Sequence, residues 1–334
     1  MLLTRLPSIP TSLPLVIDLD GTLIRTDTFH EMMAQLLVKK PWVLFQLPFW
    51  FLKGRPFTKA RLAQQIDLSP EHLPYNLPFL TFAKNEAQKG RPLILATGTN
   101  QEVAQKIANH LGIFQEVIGS DENINMTGPH KQQALLKRFS VQGFDYAGDS
   151  RIDKHVWQVA RFALVVHPKR GVLKCAQAIK GAENILYFPR EKTRGWALLQ
   201  ALYPLFWVFN LFAPSWSLFI ALSLLTSGLF IMDNLLTLSQ ERTGLPPKSV
   251  FAEGHLHLIT AFILAPLLIL PALFFIVFSL PLGIFFILLY IPLFIGLDIF
   301  THSFTQNFRS ILLGLFQLLA VLTLSICVFF LMES

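Results

Sequence analysis

The sequence predicts two parts of different class: an α/β domain with a mainly parallel sheet and a helical cap, then an all-α transmembrane domain of about five helices. Three observations carry this expectation. From residue 13 to about 189, short apolar runs alternate with helical stretches. Between the first two runs lies a stretch, about residues 26–88, too long for an ordinary connection. Behind Arg194 the charges almost vanish: dividing the 334 residues at Gly195 leaves 25 Lys+Arg and 16 Asp+Glu in front (+9) and 3 against 5 behind (−2), which sum to the +7 of the whole chain. A chain that is 52% hydrophobic and 15% charged, with a mean hydropathy of +0.48, is too apolar for one soluble domain and too charged for a membrane bundle alone. The composition excludes disordered and collagen-like classes. Cys175 and Cys327 offer neither a disulfide framework nor a metal cluster, so a reducing compartment is expected.

Taken in order, the amino-terminal tail does not read as a signal peptide. Pro7, Pro10 and Pro14 interrupt its apolar stretch, and its best part, Leu13 to Ile17, runs directly into Asp18. The expected strands are residues 15–18, 93–97, 116–118, 144–148 and 163–166, with 185–188 as a sixth. Helical patterns lie at 101–111, stopped by Gly112, and at 131–139. No tandem repeat is present, which argues against a solenoid. In open parallel sheets the site gathers where strands end and helices begin, so the polar residues there are the ones to follow.

The insertion at 26–88 is expected to form a helical cap over that site. Within it, residues 41–52, Pro-Trp-Val-Leu-Phe-Gln-Leu-Pro-Phe-Trp-Phe-Leu, are almost wholly apolar and are bracketed by Lys39-Lys40 and Lys53-Gly54-Arg55. A span needs about 20 apolar residues, so this run is too short to cross a bilayer. Tryptophans flanked by basic residues suit the headgroup boundary, where Trp42, Phe45, Phe49 and Trp50 are expected to sit; the alternative is a cap helix buried against its own domain.

Behind Arg194, apolar segments recur at about 196–212, 216–238, 256–279, 281–297 and 310–331. Arg190, Lys192 and Arg194 precede the first, Arg242 and Lys248 separate the second and third, and Arg309 follows the fourth. By the positive-inside rule the soluble domain and the loops near 240–256 and 298–309 are cytoplasmic, which predicts a multi-pass inner-membrane protein.

The chemistry-bearing segments fall at the expected strand ends. Val16-Ile17-Asp18-Leu19-Asp20-Gly21-Thr22-Leu23 places two carboxylates two residues apart as an apolar strand ends, a spacing that can turn both into one cleft as nucleophile and acid/base. Leu95-Ala96-Thr97-Gly98-Thr99-Asn100 offers hydroxyl and backbone N–H groups at a helix start, suited to a phosphoryl group. Lys131 opens a helix after Gly128-Pro129-His130, and Gly148-Asp149-Ser150-Arg151-Ile152-Asp153 adds another acidic strand end.

These four segments, in this order, resemble the haloacid dehalogenase superfamily of phosphatases over about residues 13–189. The resemblance implies a Rossmann-like parallel sheet and an aspartyl-phosphate formed on Asp18, with Asp20 as acid and then base. It also implies that Thr97, Gly98 and Lys131 hold the phosphoryl group. Mg²⁺ would be bound by Asp149 and Asp18, the backbone carbonyl of Asp20, and Asp153 directly or through water. His130 is expected at the rim, and Lys137 is an alternative basic residue on the same helix. An acid beside the nucleophile suits ester hydrolysis better than dehalogenation, which has no leaving oxygen to protonate.

The loop Met232-Asp233-Asn234-Leu235-Leu236-Thr237-Leu238-Ser239-Gln240-Glu241-Arg242 resembles the first aspartate-rich segment of the UbiA superfamily of membrane prenyltransferases, Asn-Asp-x-x-Asp-x-x-x-Asp. Here Asp233-Asn234, Thr237 and Glu241 occupy the register, so two metal-binding aspartates are neutral. A second acidic segment is reduced to Asp298 near His302. A degenerate, truncated bundle serving as an anchor is therefore expected, without prenyl transfer, and His255 and His257 are read as interfacial polar residues.

The sequence thus divides at 190/191 into a phosphatase-like domain and a UbiA-like membrane domain. The expected activity is Mg²⁺-dependent hydrolysis of a phosphomonoester, a small-molecule, sugar or lipid-linked phosphate, beside a lipid bilayer. The alternative is a transferase moving a prenyl or phosphoribosyl group. No nucleic-acid motif accompanies the basic surface, which anionic headgroups account for. The pattern does not specify an oligomeric state.

Overall fold

Strand-forming runs in the first unit assemble one parallel sheet. In the computed structural model, which describes residues 13–190, 194–213, 215–243, 249–279, 290–294, 312–313 and 315–322, the chain divides into two compact units, Met1–Lys192 and Thr193–Ser334. The strands are β1 (Leu15–Ile17), β2 (Leu93–Asn100), β3 (Glu116–Ser120), β4 (Asp145–Gly148), β5 (Ala163–Val166) and β6 (Ile185–Phe188). Their order is β3-β2-β1-β4-β5-β6, with every pairing parallel. All six expected strands form, and β2 and β3 run on to Asn100 and Ser120. The expected tail before Leu13 lies outside the described residues.

Side chains alternate across a strand, and the sequence uses this to build two cores. Leu15, Ile17, Leu93 and Leu95 face one side, where they meet Val103, Ala104 and Ile107 of α5 (Gln101–Leu111) and the cap. Val16, Ile94 and Ala96 face the other side, with Leu135, Val156, Trp157 and Ala176. These come from α6 (Pro129–Arg138), α7 (Lys154–Val159) and α8 (Val172–Lys180). Helix α5 has clear ends. The Asn100 side chain accepts from the Glu102 N–H, and Gly112 closes the helix at φ 64°, a left-handed conformation that glycine adopts without a Cβ penalty.

The insertion is helical, as expected: α1 (Thr28–Lys39), a 3₁₀ turn at Pro41–Gln46, α2 (Leu47–Leu52), α3 (Arg55–Gln65) and α4 (Leu77–Gln88). Asp27 caps α1 by accepting from the Phe29 N–H. The apolar run splits by helical period. Val43, Leu47 and Trp50 point into the core with Met32, Leu36 and Leu62, whereas Trp42, Phe45, Phe49 and Leu52 face outward. Trp50, at 9% exposure, is therefore a core residue and not the interfacial contact expected of it.

At the opposite end of the sheet from the strand termini that carry Asp18 and Asp149, Arg91 is buried between β2 and β4. It donates to the Leu13 carbonyl, Glu86 and Asp145, and Arg161 also donates to Asp145. This closed ion network locks the starts of the strands.

In the second unit the described helices are α9 (Arg194–Ala201), a 3₁₀ stretch at Pro204–Phe212, α10 (Trp216–Leu236), α11 (Leu238–Thr243) and α12 (Leu258–Ser279). Among the described residues, α10 and α12 are long and apolar enough to cross a membrane. The expected first span is broken: Tyr203 adopts φ 49° and Pro204 follows, so the segment bends between α9 and the 3₁₀ stretch. The expected spans at 281–297 and 310–331 fall largely outside the described residues. Helices α10 and α12 pack closely at Gly228, where an added Cβ would lie 2.5 Å from Ile269 Cγ1. Buried polar groups are joined across the unit, as Gln317 donates to Asn210 and Thr226, and Asn210 donates to Ser223.

Candidate active site

Strands β1 and β4 lie side by side at the centre of the sheet, and the chain leaves both into one cleft. Asp18 follows β1 directly, its N–H bonded to the Ala147 carbonyl of β4 at 3.0 Å. Its Oδ1 accepts from the Leu19 N–H and from Lys131 Nζ, each at 2.9 Å. Lys131 lies in the first turn of α6 and also donates to the Tyr146 hydroxyl at 2.9 Å; that hydroxyl in turn donates to Asp153 Oδ1 at 2.8 Å. Asp153 Oδ2 accepts from the N–H and the hydroxyl of Ser150. A continuous polar chain therefore runs from Asp18 through Lys131 and Tyr146 to Asp153.

Asp149 directly follows β4, and Lys169 lies 3.4 Å from its Oδ2. The turn after β1 comes so close to Asp149 that only glycine fits there. A Cβ on Gly21, whose φ is +80°, would lie 2.6 Å from Asp149 Oδ2. Asp18, Asp149 and Asp153 each offer an oxygen within 4.8 Å of the others. Burial pushes the Asp18 carboxyl up, with Lys131 opposing and Asp153 reinforcing the shift. Burial likewise raises Asp149, to about 8, with the Asp153 charge adding and Lys169 opposing. Hard, all-oxygen donors in mutual repulsion fit a small divalent cation such as Mg²⁺, which would relieve that repulsion.

Asp20 points elsewhere in the cleft. Its Oδ1 accepts from the Thr28 N–H at 2.8 Å, and its Oδ2 from the hydroxyls of Thr99 at 2.8 Å and Thr28 at 3.3 Å. Burial raises this carboxyl to about 7, helped by the Asp27 charge and opposed by Lys59. Its side chain is thus set apart from the three-carboxylate group and is balanced between protonation states near neutral pH.

At the end of β2, Thr97 is buried and its hydroxyl accepts from the Thr99 N–H at 3.1 Å. The Gly98 carbonyl accepts from Lys59 Nζ at 2.6 Å and the Ser120 hydroxyl at 2.9 Å, and an added Cβ would lie 2.4 Å from Thr127 Cγ2. Lys137 is exposed, and His130 contacts the Asn125 carbonyl from an exposed position. The structure thus brings Asp18, Asp149, Asp153 and Lys131 together and sets Asp20 beside Thr28 and Thr99.

Sequence reasoning missed Tyr146, Thr28, Thr99, Lys59 and Lys169. For Thr99 a signal exists, since it lies two residues after Thr97 on a strand and so shares its face. Lys59 comes from the cap, and no spacing announces its reach to Gly98.

In the second unit, Asp233 and Asn234 lie near the end of α10, and buried Glu241 lies on α11. The Tyr203 hydroxyl donates to Asn234 Oδ1 at 3.3 Å, and the Ser249 hydroxyl donates to Glu241. Among the described residues these acids form no three-ligand group; Asp298 lies outside them. His255 pairs with Glu253 at 2.9 Å, and His257 lies beside them at the start of α12.

The first unit is thus an α/β domain whose parallel sheet sets an ion-paired aspartate just past its central strand with two more carboxylates beside it. Residues 15–153, all within the first unit, match the family model of haloacid dehalogenase-like hydrolases. The uncharacterized protein y4nM of Sinorhizobium fredii is 39% identical over 155 residues, 46% of this chain; the chain spans 30% of that relative's length. Among solved structures, a protein of unknown function from Bordetella pertussis Tohama I is 16% identical, with 52% of this chain and 96% of that one covered and a TM-score of 0.40. A substrate-bound phosphoserine phosphatase is 12% identical, with 56% and 97% covered and a TM-score of 0.38.

Proposed function

We propose that the protein is a membrane-anchored phosphomonoesterase working through an aspartyl-phosphate on Asp18. The observation that carries this reading is the pairing of Asp18 with Lys131 beside an acid, Asp20, poised near neutrality. Both hydrogen bonds described for the Asp18 carboxylate end on Oδ1, which leaves Oδ2 to attack phosphorus. As the P–O bond to the leaving alcohol breaks, protonated Asp20 gives that oxygen its proton. The resulting Asp20 carboxylate then takes a proton from water, whose oxygen attacks phosphorus, releases inorganic phosphate and restores Asp18. Lys131 offsets charge between Asp18 and the phosphoryl oxygens, and Thr97 and the Gly98 backbone would bind those oxygens. Mg²⁺, held by Asp18 and Asp149 with the Asp20 carbonyl and with Asp153 in support, would supply charge neutralisation of the phosphoryl group.

Helices α10 and α12 support the anchor reading. The substrate fitting this placement is a sugar or lipid-linked phosphate at the cytoplasmic face of an inner membrane, with the second unit a degenerate UbiA-like anchor. Purified full-length protein should release phosphate from an aryl phosphate and from lipid phosphates with Mg²⁺, and stop when the metal is chelated. Asp18→Asn should abolish turnover in a protein that still folds and inserts; substantial residual hydrolysis in that variant would sink the assignment.

A further inference from the structure

We propose that the outward face of the cap segment 42–52 is a bilayer-docking surface that inserts into an anionic headgroup layer. The segment has two faces. Val43, Leu47 and Trp50 hold it to the core, while Trp42 is 62%, Phe45 82%, Phe49 68% and Leu52 85% exposed. The outward residues recur at spacings of three and four, so they form one stripe on one side of the turn and helix. Such a stripe of large apolar side chains left in water is unfavourable without a partner.

Charge selects the partner. From Met32 to Ile66 the chain holds six basic residues, Lys39, Lys40, Lys53, Arg55, Lys59 and Arg61, and no Asp or Glu. Lys39, Lys53 and Arg55 are exposed at the ends of the stripe. An apolar, aromatic face rimmed by Lys and Arg matches an interface whose surface is anionic and whose interior is hydrocarbon. A second copy docked through the same face would bring basic rims together, since such a contact sets each patch against itself. Among the described residues the same chain carries two helices long and apolar enough to cross a bilayer. This inference does not depend on Asp18 being a nucleophile, because docking needs no turnover.

The test uses full-length protein with Cys175→Ser and Cys327→Ser, spin-labelled at Phe45→Cys, at Phe49→Cys or, as a control, at the exposed loop position Glu122→Cys. In vesicles of phosphatidylcholine and phosphatidylglycerol, labels at 45 and 49 should be several-fold more accessible to oxygen, relative to a water-soluble nickel chelate, than the label at 122. That preference should weaken in vesicles of phosphatidylcholine alone. Nickel accessibility equal to that at position 122 would place the stripe in water and overturn the proposal. Label–label broadening without an oxygen preference would instead show a protein–protein face, and lipid insertion indifferent to phosphatidylglycerol would overturn the role given to the basic rim.

Discussion

Tyr146→Phe isolates the polar chain behind the proposed nucleophile, Asp18, because it removes one oxygen and leaves the ring in place. The lost hydroxyl accepts from Lys131 at 2.9 Å and donates to Asp153 at 2.8 Å, with all three residues buried. Each is a hydrogen bond to a charged group, of the kind worth about 1.5–3 kcal/mol, so the pair sets an upper range of about 3–6 kcal/mol. Retained contacts lower this: Lys131 keeps Asp18, Asp153 keeps Ser150, and the ring stays 5.4 Å from Lys131 Nζ. A stability loss of about 3 kcal/mol is expected, at the lower end of that range. If half of one bond's value is lost in orienting Lys131, kcat/KM should fall about tenfold, which corresponds to about 1.4 kcal/mol. Urea unfolding measures the first, and phosphate release against Mg²⁺ concentration the second, where a raised metal requirement should report the loosened Asp153. Wild-type kcat and metal dependence in a destabilised variant would make Tyr146 a packing residue only and refute the positioning role.

Further outcomes follow from single contacts. Lys59 lowers the Asp20 carboxyl from where burial and Asp27 would set it, about 7 as it stands. Lys59→Met should therefore raise it further, keep Asp20 protonated to higher pH, and move the alkaline limb of the kcat/KM profile upward; a downward move would contradict the assignment of Asp20 as acid. Gly21→Ala should drive Asp149 aside, because the new Cβ would lie 2.6 Å from its Oδ2, so Mg²⁺-dependent activity should collapse while circular dichroism is retained. Arg91→Met breaks a buried ion network and should cost about 3–5 kcal/mol at pH 7 in urea unfolding. Burial pushes Glu86 up, but hydrogen bonds and charge from Lys89 and Arg91 outweigh it, so its folded pKa is lowered. That contribution is present above the unfolded value of 4.5 and lost as pH falls through the folded value, so the gap between Arg91→Met and wild type should shrink in acid.

Much of the fold is legible because it rests on period. Strand alternation separates Leu15 and Ile17 from Val16, and the two cores follow that division. Strand ends are less legible: β2 continues through Thr97-Gly98-Thr99 and pairs with β3 again only at Asn100, past a register shift after Ala96 that Gly98 does not announce. Asp18, Asp20 and Asp149 can be read from sequence because the chain places them at strand ends. Tyr146, Lys59 and Lys169 cannot, since their roles depend on which elements the fold brings together. The expected role of Trp50 failed for a related reason. Composition marks residues 41–52 as apolar, but only the packed helix decides which side of the run is buried.

The charges of the cleft leave its carboxylates incompletely compensated. Asp18, Asp149 and Asp153 contribute three negative charges when ionised, against two positive charges from Lys131 and Lys169, and Asp20 sits near its midpoint at neutral pH. With all three ionised and no further cation the cluster is net negative and would repel a phosphate dianion. The upward shifts of Asp18 and Asp149 show the same imbalance from the side of the protons. A hydrophobic fold has no reason to bury this arrangement for stability alone, because carboxylates with raised pKa values destabilise the folded chain as the pH rises through them. Arg91 makes the contrast within the same sheet. At the other end of the strands, Glu86 and Asp145 are matched by Arg91, Arg161 and Lys89, and that network is closed. One end of the sheet is electrostatically complete and the other is not, which is what the proposed uptake of a cation and an anionic substrate requires.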